Sequence, residues 1–235
     1  MIAGRSVDDK AKNDRGNLPG GVSGKQRRIL VFSLLIALSL AFTSGHAGET
    51  HPPYTLVDPP IQVNDGKSIE VIEWFWYASL DSYQTSSMLA EWAKQLPDDI
   101  VLRRVPAILK DDWAILANVY LAFEQLDLAE EMHARVYHAV VKQGLNWSDE
   151  RYLFDWVDRQ GVDVATFVAA FRSDTVYEQR LRAIRLSESI GLQNVPAFLV
   201  QGRYLISAEL ADGIEHIPEI LNQIIGEARG KLKTR

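Results

Sequence analysis

Residues 68–92 read SIEVIEWFWYASLDSYQTSSMLAEW. The first ten are dense in β-branched and aromatic side chains: Ile69, Val71, Ile72, Trp74, Phe75 and Trp76 leave few polar positions on either face. That is the composition of a strand buried on both sides, as in a sheet covered by helices. From about Ser79 the period changes. Met88, Leu89 and Trp92 recur at helical spacing, and Pro97-Asp98-Asp99 stops the pattern after Leu96. A buried strand therefore runs straight into an amphipathic helix, and Ser79 and Ser82 stand three apart at that helix's N-terminus.

On the N-terminal side, Tyr54-Thr55-Leu56-Val57 is a short apolar stretch in a Pro-rich segment and predicts an edge strand. On the C-terminal side, Ile100 to Val105 (IVLRRV) predicts the next strand. Five helical segments follow: Trp113–Leu126, Leu128–Gln143, one starting at Ser148-Asp149 and running to Gln160, Asp163–Phe171, and Asp174–Ile190 with Asp174 as N-cap. Gly161 and Gly191 supply stops. Strand character returns at Ala197–Val200 and Arg203–Ile206, a hairpin around Gln201-Gly202, and Ile217–Arg229 predicts a closing helix. The order is βαβ, a helical block, then ββα. The flanking halves complete one sheet, so the block reads as an insertion of about 80 residues, 111–190, between 48–110 and 191–235.

The first 47 residues read differently. Ile29 to Thr43 is an apolar run of 15 residues behind Lys25, Arg27 and Arg28, and Gly45-His46-Ala47 offers small residues at −3 and −1. This predicts a secretory signal peptide at 1–47 with an extended n-region, and the run is short for a transmembrane helix. An uncleaved N-terminal anchor is the alternative. The long polar n-region suggests a true start further in, for example at Val22. Removal of 1–47 leaves 18 basic and 28 acidic residues, a net charge of −10, on a surface unsuited to the phosphate backbone of nucleic acid. Export normally puts a protein where disulfides are permitted. Yet the chain has no cysteine, hence no bridge, no thiolate ligand and no thiol nucleophile.

Three stretches, IEVIEWFWY (69–77), LPDDIVLRRVPAIL (96–109) and GLQNVPAFLVQGRYLIS (191–207), resemble the DsbA family of periplasmic thiol:disulfide interchange proteins. The resemblance covers about Val57 to Arg229. It implies an α/β thioredoxin fold, a central mixed sheet interrupted by an all-helical insertion. It also implies a cis proline at Val195-Pro196 opposite the active site, and a buried acid beneath that site at Glu73. The family's active site is C-P-H-C followed by Tyr. Here Ser79-Leu80-Asp81-Ser82 precedes Tyr83, so all four positions differ. A hydroxyl forms no mixed disulfide, and thiol–disulfide exchange requires one.

The residues admit a plainer role. Ser79 is a fit N-cap, worth about 1 kcal/mol, and Asp81 in the first turn suits the helix dipole by roughly 0.3–1 kcal/mol. A serine nucleophile at Ser79 or Ser82 needs a base. None of His51, His133, His138 and His216 belongs to a recognisable triad motif. His133 and His138, five apart, do not share a helix face and read as partly exposed, not as metal ligands. Trp113, Trp147 and Trp156 read as insertion core. No metal or cofactor is expected. The expected partners are extended or unfolded polypeptide segments contacting Val195-Pro196, or an active homologue. The alternatives are non-redox chemistry at Ser79, Asp81 or Ser82, or a relic fold without a ligand. N-terminal sequencing of the exported protein is expected to begin at Gly48. Sequencing of the precursor is expected to begin inside the polar segment, and a product starting at Met1 overturns the internal start.

Overall fold

The computed structural model describes residues 51–62 and 68–232, so the leader read at 1–47 lies outside the described residues. Five strands form one mixed sheet in the order β1-β5-β4-β2-β3. They are β1 Thr55–Leu56, β2 Ile69–Phe75, β3 Ile100–Pro106, β4 Ala197–Val200 and β5 Tyr204–Ser207. β2 runs parallel to β3 and antiparallel to β4, and the β4–β5 and β1–β5 pairs are antiparallel. All seven residues of β2 are buried, as its composition requires.

Alternation along β2 divides the core in two. Ile69 and Val71 pack with Leu89 and Trp92 of α1 (Leu80–Ala93) and with Ile217, Leu221 and Ile224 of α7 (Ile217–Leu232). Ile72 and Trp74 point to the other face, where they meet Val105, Trp113, Ala183 and Ile190. An indole N–H ties each face together. Trp92 Nε1 donates to Asn222 Oδ1 at 2.9 Å, joining α1 to α7. Trp74 Nε1 donates to Ser187 Oγ at 3.0 Å, pinning α6 (Asp174–Ser189) to the sheet.

Between β3 and β4 lie a 3₁₀ turn (Asp111–Trp113), α2 (Ala114–Gln125), α3 (Ala129–Tyr137), α4 (Glu150–Arg159), α5 (Val164–Phe171) and α6. They enclose a third cluster containing Phe123, Met132, Val136, Leu153, Val157 and Phe167, into which β2 and its extension insert Phe75 and Tyr77. The hairpin turns as expected. Val200 C=O accepts from Arg203 N–H at 3.1 Å, and Gln201 and Gly202 both have positive φ, as a mirror-image turn demands.

The structure corrects four expectations. The segment read as one helix over Leu128–Gln143 changes from α-helix to a wider π turn at His138–Lys142, which keeps Ala139 and Val140 buried beside Val136 and Tyr137. Trp113 belongs to the sheet-facing cluster, not to the insertion core, because its ring stacks on Trp76 at 4.0 Å with planes 4° apart. The N-cap of α6 is Ser173, whose Oγ accepts from Val176 N–H at 3.1 Å, and Asp174 is the first helical residue. His133 is buried, 5% exposed, while His138 is exposed.

Ser173→Ala is expected to lower the unfolding free energy by about 0.5–2 kcal/mol. Asp174→Ala should cost less, about 0.3–1 kcal/mol, since it removes only a charge near the dipole. Paired chemical-denaturation curves check the order.

Candidate functional site

β2 ends at Phe75, and the chain turns through Trp76–Ala78 into α1. Trp76 C=O accepts from Ser79 N–H at 3.0 Å. Ser79, with φ −87° and ψ 126°, is the N-cap, and its Oγ accepts from Ser82 N–H at 3.1 Å. Ser82 is fully buried, and its Oγ accepts from Trp76 N–H at 3.4 Å. Both hydroxyls thus serve the backbone of the turn that carries them. Leu80 (51% exposed) and Asp81 face solvent, with Asp81 in the first turn of α1. Tyr83 is half-buried, with Lys142 Nζ 5.1 Å from its ring centre.

No histidine hydrogen-bonds to Ser79 or Ser82 among the described residues. His133 Nδ1 is 3.0 Å from the Tyr77 hydroxyl, and His216 Nδ1 lies 3.0–3.1 Å from the carbonyl oxygens of Ala211 and Asp212. Neither is in hydrogen-bond contact with a serine to be activated as a nucleophile. Among the described residues no group of three His, Asp or Glu side chains is placed to hold a metal ion.

Beneath α1 the sheet carries a polar cluster. Glu73 is fully buried; its Oε2 accepts from Arg104 Nε at 3.2 Å, and its Oε1 has no partner. Arg104 also donates through Nη1 to Glu130 at 2.5 Å. Glu73 and Arg104 are register partners in the parallel β2–β3 pair, which sets them side by side. Burial pushes the Glu73 carboxyl up from 4.5 to about 7, outweighing the Arg104 charge that opposes it. Burial likewise holds His133 well below its ordinary value and the Tyr77 and Tyr137 phenols well above theirs. The ring of His133 is therefore neutral. Tyr137 Oη has no partner in good hydrogen-bond geometry, although Ser82 is close enough to favour its ionised form.

Val195-Pro196 is a cis peptide, as the resemblance implied. Pro196 is buried and Val195 half-buried. Because Ala197 pairs with Trp74, the two residues before it lie at the sheet end where β2 gives way to the turn into α1. The structure thus brings Ser79, Leu80, Asp81, Ser82 and Tyr83 together on the start of α1. Glu73 lies on the sheet face below, and Val195-Pro196 at the same end of the sheet. Sequence reasoning missed Arg104, His133 and Tyr137. A mid-strand arginine beside a strand bearing two glutamates was a usable signal for the first; nothing local marked the other two.

A family profile described as a DSBA-like thioredoxin domain matches residues 82–222. The chain belongs to the DsbA-like thioredoxin family. The thiol:disulfide interchange protein DsbA of Bordetella parapertussis is 31% identical over 201 residues, covering 83% of this chain and 96% of that protein. The Azotobacter vinelandii DsbA is 26% identical over 211 residues, covering 86% and 98%. Among solved structures, Pseudomonas aeruginosa DsbA superposes with a TM-score of 0.73 at 25% identity, over 77% of this chain and 95% of that one. Xylella fastidiosa DsbA gives 0.70 at 23% identity, over 75% and 95%. This DsbA-like chain differs from an interchange enzyme in containing no sulfur to exchange at the head of α1 or elsewhere as cysteine.

The raised Glu73 value links stability to pH. The native state binds this proton more tightly than the unfolded chain, so the contribution of Glu73 is complete below 4.5 and declines as pH rises through about 7. The loss amounts to about 3 kcal/mol. Glu73→Gln is expected to remove that decline, so the difference in unfolding free energy between variant and wild type should grow between pH 4.5 and 7.5. Taking the difference cancels the opposite trend from neutral His133. Urea titrations across that range measure it.

Proposed function

We propose that this DsbA-like protein binds extended or unfolded polypeptide without disulfide exchange, and does so in the periplasm after removal of the 1–47 leader. One observation carries the reading: the main chain at Val195 is unused beside an apolar surface, at the sheet end from which the sulfurs are missing. Among the described residues, the N–H and C=O of Val195 take part in no backbone–backbone hydrogen bond of the loops. An extended segment adding at a strand end needs such groups, with apolar contacts to hold alternate side chains.

Two features supply those contacts. Leu80 stands half exposed on the first turn of α1. A cleft of about 340 Å³ follows the loop into β4, lined by Ile190, Leu192, Ala197, Leu205 and Leu210. Asp81 is a carboxylate in the first turn of α1, where it favours the helix dipole. The protein would act as a holding factor for unfolded chains, or compete with an active homologue for them.

Binding of reduced, carboxymethylated α-lactalbumin, followed by fluorescence anisotropy, tests this. Wild type is expected to bind saturably, and Leu80→Asp to bind about tenfold more weakly through loss of one apolar anchor. Insulin reduction should stay at the buffer rate for both. Reduction above buffer, or binding unaffected by Leu80→Asp, overturns the proposal.

A further inference from the structure

We propose that the cleft between α1 and α3 is a binding site for a small carboxylate, independent of the peptide reading. The cleft measures about 130 Å³. That is close to the roughly 150 Å³ of a cavity able to hold a benzene-sized guest. Its floor is Arg104, His133 and Tyr137, its α1 wall is Tyr83 and Ser86, and Glu130 of α3 stands at the rim.

Two polar groups in the floor have unspent capacity. His133 is 5% exposed, its Nδ1 engages the Tyr77 hydroxyl, and its Nε2 is buried with no partner. The Tyr77 hydroxyl has no other hydrogen-bond partner among the described residues, so assigning it as the donor to Nδ1 puts the proton of the neutral ring on Nε2, where it lacks an acceptor. A buried donor in that condition calls for one. Arg104, its side chain 10% exposed, spends Nε on Glu73 and Nη1 on Glu130. The second of these bonds is the shorter, but it is the one that reaches solvent. The Glu130 side chain is 84% exposed, so water competes for it and screens its charge.

Glu130 thus holds the position a ligand carboxylate would take. A guest that displaces it could accept from the Arg104 guanidinium with one oxygen and from His133 Nε2–H with the other, satisfying the orphaned donor. Its apolar tail would lie against the rings of Tyr83 and Tyr137. Glu73 lies behind the guanidinium, and burial raises its carboxyl to about 7, so the negative charge the guest faces there falls as the pH drops below neutral. An uncharged amide lacks the charge that distinguishes the guest from water.

Titration of ¹⁵N-labelled protein with acetate and benzoate, using acetamide and benzamide as controls, tests the site. Saturable millimolar shifts are expected at the amides of Ser86 and His133, larger for benzoate. Glu130→Gln, an exposed change that preserves shape, should tighten benzoate binding about two- to fivefold by removing the competing carboxylate. Benzamide binding as well as benzoate overturns the proposal. So does a Glu130→Gln protein that binds no more tightly than wild type, or shifts confined to other parts of the molecule.

Discussion

A strand with every residue buried carries two glutamates, and both take an arginine from the strand beside them. Glu70 accepts from Arg103 Nε at 2.7 Å and Glu73 from Arg104 Nε at 3.2 Å. The alternating side chains put one pair on each face of the sheet. An unpaired buried carboxylate is costly, and removal of one partner from such a pair typically destabilises by about 3–5 kcal/mol. The pairs therefore fix the register of the central parallel ladder more tightly than its apolar residues could, since valine and isoleucine tolerate a slip and these hydrogen-bonded pairs do not. The placement of α1 above Glu73, and of the turn that starts α1, follows from that register.

Much of this was legible in the chain. The strand–helix switch at residues 68–92 rests on a change of period, and the β4–β5 hairpin on local turn chemistry; both survive into the structure because they are short-range. Ser79 as N-cap was legible for the same reason, since capping needs only the next three residues. The misread features are tertiary. His133 looked like a surface helix residue because nothing near it in sequence announces the Tyr77 hydroxyl. Trp113 looked like insertion core because its stacking partner, Trp76, lies 37 positions away on the other side of β3. The π turn at 138–142 has ordinary helix-forming residues, and only the packing of Ala139 and Val140 selects it. At α6, Ser173 and Asp174 are both competent caps, and position along the chain decides between them.

At the head of α1, where the resemblance places the family's cysteines, the two serine hydroxyls hold the turn. Each serine has a structural bond: Ser79 to the first turn of the helix and Ser82 back to Trp76. The turn closes on itself through hydroxyls. Glu73, set below in a position that the resemblance assigns to a buried acid, retains its raised affinity for a proton because that property comes from burial rather than from any neighbouring thiol. The electrostatic frame and the main chain at Val195 do not depend on the chemistry that the family performs between them.

The parallel indoles of Trp76 and Trp113 join the end of the central strand to the first turn of the helical region. At 4.0 Å their excited states are coupled, and that coupling falls off steeply as the rings slide or tilt. The protein therefore carries its own optical gauge. Near-ultraviolet dichroism would register ångström-scale movement between the end of β2 and the 3₁₀ turn after β3, with no label attached.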